Sequence, residues 1–156
     1  MLSNNNRELI TWTDEFSVGI QEIDEQHKTL VDLLNNLYVA IREHHGNKEA
    51  TNTLCELATY TRIHFTVEES LMSITGYPEY EKHKYQHKLL ADQLNEFQEK
   101  VVNGTPISVE LLHFLKNWLT HHILEDDMAY APHMIKKGIR THHTKRSLID
   151  RLLHRQ

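Results

Sequence analysis

The stretch His64-Phe65-Thr66-Val67-Glu68 pairs an imidazole with a carboxylate four residues later. In an α-helix, side chains at this spacing lie one turn apart on the same face, so both can contact one metal ion or two adjacent ions. The pair is weak evidence by itself, because such pairs are also common on helix surfaces. Its meaning depends on whether the rest of the chain supplies partners.

The chain has the size and composition of one compact domain. Its 156 residues are 39% hydrophobic and 25% charged, which suits a single core. A net charge of -5 offers no basic face to phosphate, which argues against a nucleic-acid partner. Cys55 is the one cysteine, and there is no run of about 18 apolar residues that would predict membrane insertion. We therefore expect a cytoplasmic protein, and the sequence predicts no particular oligomer.

Helix breakers divide the chain into four long stretches in which apolar residues recur at three- and four-residue steps. The breakers are Gly46-Asn47, Gly76-Tyr77-Pro78, Asn103-Gly104-Thr105-Pro106 and Pro132. The predicted helices span about 20–44, 48–73, 80–102 and 108–130. Short loops between helices of this length predict an all-α fold, an up-down-up-down antiparallel four-helix bundle.

The bundle is expected to occupy residues 1–138, with 1–19 as an N-terminal arm and 139–156 as a short C-terminal extension. The extension carries a net charge of +4, whereas the rest of the chain carries -9. Apolar residues in it recur at four-residue steps, as in a short amphipathic helix: Leu148, Ile149, Leu152 and Leu153. Such a segment packs back on the bundle, pairs with another copy, or begins a linker to an output domain.

Each predicted helix carries at least one imidazole on its apolar face. On the second helix, the stripe that contains Leu57, Ile63 and Ile74 also contains His64 and Glu68. Buried polar groups without partners cost on the order of 1 to 3 kcal/mol each, so a shared metal explains them best. The candidate ligands are His27, His64, Glu68, His83, His87, His122 and either Asp126 or Asp127.

The donor set restricts the kind of metal. Imidazoles with carboxylates and no thiolate suit iron, manganese or zinc. Seven protein ligands exceed what one tetrahedral zinc ion uses, so two metals fit better than one. For the last ligand, an ideal helix favours Asp126, since Asp127 is turned by about 140° from His122.

Several short runs occur in order on successive predicted helices between about residues 12 and 135. The runs are Trp12 with Val18-Gly19-Ile20, Ile23-Asp24-x-Gln26-His27-Lys28-x-Leu30, His64-Phe65-x-x-Glu68-Glu69-x-x-Met72, Tyr77-Pro78, His83-x-x-x-His87, and Trp118-x-x-x-His122-Ile123 followed by Asp127 and Tyr130. Together they resemble the hemerythrin family, specifically its bacterial branch. Their order makes the joint signal strong, although each run is common.

The resemblance implies a centre of two iron ions with a hydroxo or oxo bridge. It assigns one iron to His83, His87 and His122 and the other to His27 and His64. Glu68 and Asp127 become bridging ligands, so the resemblance selects Asp127 over Asp126.

One position stays free on the iron with two histidines, and there the resemblance implies reversible binding of dioxygen. The expected role is oxygen storage, or delivery to an oxygen-consuming partner enzyme. Apolar neighbours are expected to keep this position dry. They are Ile23, Leu115, Trp118, Leu119 and Ile123.

Two other functions compete with oxygen carriage. An oxygen or redox sensor would signal through the C-terminal extension to an output domain. A di-iron oxidase or ferroxidase fits less well, because ferritin-like proteins use more carboxylates and Glu-x-x-His pairs on two helices. We therefore expect no enzyme. Since histidine must be neutral to bind a metal, acid is expected to release iron near the ordinary imidazole pKa of about 6.5.

Overall fold

The computed structural model describes residues 7–43 and 47–139. Among these residues there is no β-strand, and no helix is long and apolar enough to cross a membrane. A short 3-10 turn, Asp14–Phe16, lies in the N-terminal arm. The helices are α1 (Gln21–Arg42), α2 (Asn47–Thr75), α3 (Tyr80–Val102), α4 (Val109–His121) and α5 (Met128–Lys136), with a π-helical segment, His122–Asp127, between α4 and α5.

The helices form an antiparallel bundle. Helix α4, the π-helical segment and α5 follow one another without a break and together make the fourth long helix. Helix α1 packs along α2 and α4, and α2 also packs along α3. The predicted all-α, up-down-up-down four-helix bundle is thus confirmed.

Local chemistry explains where the helices begin and end. Ser108 has extended backbone and caps α4, since its hydroxyl oxygen accepts a hydrogen bond from the Leu111 amide at 3.2 Å. Helix α2 ends where Gly76 adopts a φ of 66°, which lets the Tyr77 amide donate to the Met72 carbonyl at 2.9 Å. The predicted first helix extends to residue 44, and that residue and positions 140–156 of the extension lie outside the described residues.

The prediction that Pro132 ends the fourth helix is wrong. Pro132 lies inside α5, which continues to Lys136. Proline removes one backbone N–H donor and usually breaks a helix interior. Here Tyr130 and Met134, both 0% exposed, flank the proline and bury this part of the helix against the core. Their burial offsets the lost hydrogen bond.

The predicted apolar stripe of α2 is also wrong at two positions. Ile63 is 48% exposed and Ile74 is 74% exposed. At 100° per residue they lie about 100° and 80° to one side of His64, whereas the buried face extends to the other side, through Glu68 and Phe65. The structure therefore centres the buried face on the polar pair rather than on the isoleucines.

The apolar core consists of two clusters. The first contains Leu30, Phe65 and Ile123, and the second contains Ile23, Leu71 and Tyr130. Along the sequence of α1, α2 and the fourth long helix, the candidate ligands lie between residues of the first cluster and residues of the second. A polar layer thus separates two apolar halves of the bundle.

Asp24 connects the N-terminal arm to the start of α1 through two hydrogen bonds. Its carboxylate, 9% exposed, accepts hydrogen bonds from the Ser17 hydroxyl at 2.5 Å and the Val18 amide at 2.8 Å. This holds Val18 and Ile20 in the second apolar cluster, directly beside the first turn of α1.

We expect Asp24→Ala to lower the free energy of unfolding by about 1 to 3 kcal/mol, since it leaves a buried amide without its acceptor. Asp24→Asn keeps one acceptor oxygen and should lie between Ala and the parent. Asp32→Ala is the matched control, because Asp32 is exposed on the same helix. Thermal unfolding of the three variants measures the effect; equal midpoints for Asp24→Ala and Asp32→Ala would contradict this role.

Candidate metal centre

The structure brings all seven candidate ligands together in the polar layer. Helices α1 and α2 and the fourth long helix supply side chains that are 0% exposed, and α3 supplies two that are 5% or less exposed. Histidines and carboxylates are rarely buried in this way unless they are paired or bind a metal. The seven residues are His27, His64, Glu68, His83, His87, His122 and Asp127.

The π-helical segment decides which aspartate faces the cluster. In an ideal helix Asp127 would be turned away from His122, but the wider i→i+5 turn brings residues five apart onto one face. The His122 Nε2 atom lies 2.9 Å from Asp127 Oδ2. The Asp126 side chain is 17% exposed, and its nearest oxygen is 4.0 Å from Nδ1 on the outer side of the His122 ring.

Glu68 divides the histidines between its two oxygens. Its Oε1 atom contacts His64 Nε2 and lies 3.3 Å from His122 Nε2 and 3.5 Å from His27 Nε2. Its Oε2 atom lies 3.2 Å from His87 Nε2 and 4.0 Å from His83 Nε2. One carboxylate thus faces both groups of imidazoles.

Asp127 repeats this division. Its Oδ2 atom lies 2.6 Å from His27 Nε2 and 2.9 Å from His122 Nε2, while its Oδ1 atom lies 3.5 Å from His83 Nε2. Two sets of ligand atoms come together within 4.8 Å, and they share Glu68 and His122. The sets are His27, His64, Glu68, His122 and Asp127, and Glu68, His83, His87 and His122.

The ligand atoms are poorly satisfied by one another. Within the described part of the chain, five of the ligand atoms that face the cluster are buried and make no hydrogen bond of good geometry, although Asp127 Oδ2 is only 2.6 Å from a ring nitrogen. Each such atom costs about 1 to 3 kcal/mol if nothing binds it. Cations bound among these nitrogens and oxygens would satisfy them together, so the site fits a metal. The atoms are Glu68 Oε2, His83 Nε2, His87 Nε2, and Oδ1 and Oδ2 of Asp127.

The two carboxyls stay ionised despite their burial. Burial raises the pKa of Glu68, but the His64 and His122 imidazoles outweigh it and hold the pKa well below the ordinary 4.5. Burial and the Glu68 charge raise the pKa of Asp127, but His122 and His27 hold it below the ordinary 3.8. Two negative charges are therefore fixed at the centre of the bundle.

The histidines respond to those charges in opposite ways. Burial lowers the pKa of His122, but Asp127 and Glu68 raise it well above the ordinary 6.5. At His64, burial also lowers the pKa, but the Glu68 charge outweighs it and raises the pKa above the ordinary 6.5. At His87 burial wins, and the pKa lies below 6.5. Without a metal, protons on His64 and His122 balance the two carboxylates.

Aromatic and amide side chains hold the imidazoles in place. The Phe65 ring stacks on His87, with centroids 3.8 Å apart and planes at 6°, and Trp118 stacks on His122 at 5.9 Å and 15°. Gln26 Oε1 lies 2.7 Å from His64 Nδ1. Sequence reasoning assigned no role to Gln26 or Phe65. The signal that could have found both is that each directly adjoins a candidate ligand, His27 or His64.

Tyr130 is a further residue whose role sequence reasoning missed, although it stands in the motif three positions after Asp127. It is 0% exposed, and its ring centroid lies 5.6 Å from that of His83. Burial, reinforced by the charges of Asp127 and Glu68, raises the pKa of its hydroxyl well above 10. Tyr130 therefore remains a neutral hydrogen-bond donor next to the two carboxylates.

The five residues predicted to line an oxygen pocket are all buried. Ile23 belongs to the second apolar cluster, and the other four belong to the first. They therefore flank the polar layer from both sides, and each is 8% exposed or less. They are Ile23, Leu115, Trp118, Leu119 and Ile123.

The pKa shifts predict how the stability of the metal-free chain depends on pH. The raised pKa values of His64 and His122 contribute stability that is complete below about 6.5, their unfolded value, and is lost as the pH rises through the folded values. The lowered pKa of His87 makes the opposite contribution, one that increases stability as the pH rises, but the two histidines with raised pKa values outweigh it. Metal excludes these protons, so the loaded protein should gain stability from pH 6.5 to 8.

Urea unfolding of the metal-free and zinc-loaded protein at several pH values measures this difference. We expect the free energy of unfolding to fall with pH in the metal-free protein and to rise in the loaded one. Parallel slopes between pH 6.5 and 8 would show that the imidazole protons do not balance the carboxylates.

Comparison with known proteins matches this arrangement. The family model described as the hemerythrin HHE cation binding domain matches residues 18–134. A bacteriohemerythrin of Stenotrophomonas maltophilia is 37% identical over 123 residues, which cover 79% of this chain and 80% of the relative. A bacteriohemerythrin of Clostridium acetobutylicum is 30% identical and is covered to 98% of its length.

Solved structures agree with the sequence relatives. Crystal structures of wild-type hemerythrin and of a leucine-to-tyrosine variant superpose with TM-scores of 0.75 and 0.77, at 31% and 30% identity. Each alignment covers 81% of this chain and 98% of the other chain. The family model covers more than half of the chain, and the matched residues include the whole buried histidine and carboxylate cluster. The chain therefore belongs to the hemerythrin family.

Proposed function

We propose that the chain binds dioxygen reversibly at a pair of iron ions, for oxygen storage or delivery. The observation that carries the proposal is the two-sided arrangement of Glu68 and Asp127, each of which presents one oxygen to each of two histidine groups. A single ion would leave one oxygen of each carboxylate unused. When bound, an iron pair supplies the electrons that hold dioxygen and takes them back on its release.

The carboxylate oxygens separate four of the five histidines, and the proposed ligand assignment follows that separation: His27 and His64 would hold one iron, and His83 and His87 would hold the other. His122 belongs to both sets of close ligand atoms, so its assignment to the second iron rests on the resemblance to the hemerythrin family. Glu68 and Asp127 would be shared by the two irons, together with a hydroxo or oxo group. The iron with two histidines would have fewer protein ligands and so would offer the position for dioxygen.

The surrounding apolar residues make release of the gas easier than its reduction. Ile23 and Ile123 are 0% exposed, and Leu115 and Leu119 are each 1% exposed. Water excluded by these side chains cannot solvate a charged product, so charge separation at the site is disfavoured. The exclusion of water also argues against an oxidase, because water and protons must reach the site of an oxidase in each catalytic cycle.

The proposed domain is the bundle within residues 1–138. This boundary is supported by the family match, which ends at 134, and by α5, which ends at Lys136, since both end before the basic extension begins at 139. The extension is assigned no part in oxygen binding.

Cycling with oxygen tests the proposal directly. Protein purified anaerobically with ferrous iron should develop a visible absorption band when oxygen is admitted and lose it when oxygen is removed, over several cycles. His64→Ala should abolish the band, whereas His113→Ala should keep it, since His113 is exposed on α4 away from the cluster. Irreversible conversion to ferric protein with release of peroxide would refute reversible carriage and favour an oxidase.

Two neighbouring aspartates test the bridging assignment. Asp127→Ala should lose one or both irons, because the bridge that faces both histidine groups is gone. Asp126→Ala is the matched control and should keep both, since its carboxylate approaches only the outer side of His122. Iron per folded chain is measured by metal analysis after gel filtration. Full iron content in Asp127→Ala would exclude this residue as a bridge.

A further inference from the structure

Gln26 is a buried amide that serves one histidine. It lies on α1 directly before His27, and it is 3% exposed. Its Oε1 atom lies 2.7 Å from Nδ1 of His64 on α2. Its Nε2 atom has no hydrogen-bond partner among the described residues. Packing alone does not require a glutamine at this position, since an apolar side chain of similar size would fill the same space. The contact with His64 is therefore the feature that needs an explanation.

The direction of this hydrogen bond follows from the surroundings of Nε2, the second nitrogen of the His64 ring. His64 Nε2 faces the cluster, because it contacts Glu68 Oε1 and lies 3.1 Å from His27 Nε2. A nitrogen that binds a metal carries no proton, so the ring proton must sit on Nδ1. Nδ1–H therefore donates to the Gln26 amide oxygen, and the amide selects the tautomer in which Nε2 is free.

Three of the other four histidines in the cluster lack an equivalent contact. In the described part of the chain, Nδ1 of His27, His87 and His122 makes no hydrogen bond. Carboxylates approach two of these atoms only to 4.0 Å, Glu69 at His87 and Asp126 at His122. Of these four histidines, His64 is the one with a close partner at Nδ1, and it lies on the side that the proposed function assigns to dioxygen.

We propose that Gln26 is a positioning residue that fixes the orientation and tautomer of His64 through an uncharged acceptor. The inference rests on the proposed iron site. A carboxylate acceptor would draw the Nδ1 proton towards itself, make the imidazole a stronger electron donor and stabilise ferric iron. The neutral amide orients the ring to the same degree without adding negative charge, and so favours the ferrous state that binds oxygen.

The positioning role is tested without iron or oxygen. Gln26→Met keeps the length of the side chain and removes the acceptor, and zinc titration of the metal-free protein should show one site weakened about 10- to 100-fold. Gln26→Glu keeps an acceptor and should restore zinc affinity. Gln93→Met, at an exposed position on α3, is the matched control. Unchanged zinc affinity in Gln26→Met, or no rescue by Glu, would overturn the positioning role.

Two further measurements separate positioning from a general effect on folding. In the zinc-loaded parent, nitrogen NMR should show a protonated Nδ1 at His64, protected from exchange. This protection should be lost in zinc-loaded Gln26→Met, while the melting temperature of the metal-free protein changes little. In the iron-loaded protein, Gln26→Glu should have a more negative reduction potential than the parent and than Gln93→Glu. Equal potentials would overturn the role of the neutral acceptor.

These outcomes are distinct from a failure of the proposed function. If the parent protein binds only one zinc ion, the two-metal site is wrong whatever Gln26 does. If the parent binds two, and the variants change neither affinity, tautomer nor potential, the inference on Gln26 is wrong while the proposed function stands.

Discussion

Seven ionisable side chains share the centre of a bundle that is otherwise apolar. Two ionised carboxylates lie there fully buried, and within the described ranges five imidazoles approach them closely enough to balance their charge. Every helix is positioned by this requirement, since each must deliver a nitrogen or an oxygen to the same point. The two apolar clusters on either side give the helices their stability, and the polar layer determines how they are aligned along their length.

The π-helical segment shows how strongly the site constrains the backbone. A regular α-helix would turn Asp127 away from His122 and leave the cluster with one carboxylate instead of two. An isolated π-turn is rare and less favourable than α-helix, and such turns are found mostly at functional sites. The segment runs from one candidate ligand to another, His122 to Asp127, and regular helix resumes at Met128. The local backbone departs from the α-helix only where the alignment of two ligands requires it.

The sequence predicted the helices and the clustered histidines because burial and helical periodicity coincide. His64 with Glu68, and His83 with His87, are four residues apart, so one regular turn aligns each pair. The step from His122 to Asp127 is five residues, and a pattern that assumes an α-helix therefore preferred Asp126. Apolar periodicity did not show the error, since the pattern before and after the segment is regular. Hydrogen bonds such as that between Gln26 and His64 join residues 38 apart in the chain and depend on tertiary packing.

The polar layer is not explained by stability. Replacing a buried set of charges with apolar residues of similar volume is often neutral or stabilising, by about 1 to 4 kcal/mol, because the desolvation cost disappears. A bundle of this length with leucine in place of the ligands would keep both apolar clusters and join them into one core. The buried carboxylates, the π-helical turn that brings Asp127 inward and the half-satisfied amide of Gln26 all carry a cost in the metal-free chain. Bound metal offsets this cost, so metal binding and folding are coupled at this centre, and the bundle is built around its site rather than merely containing it.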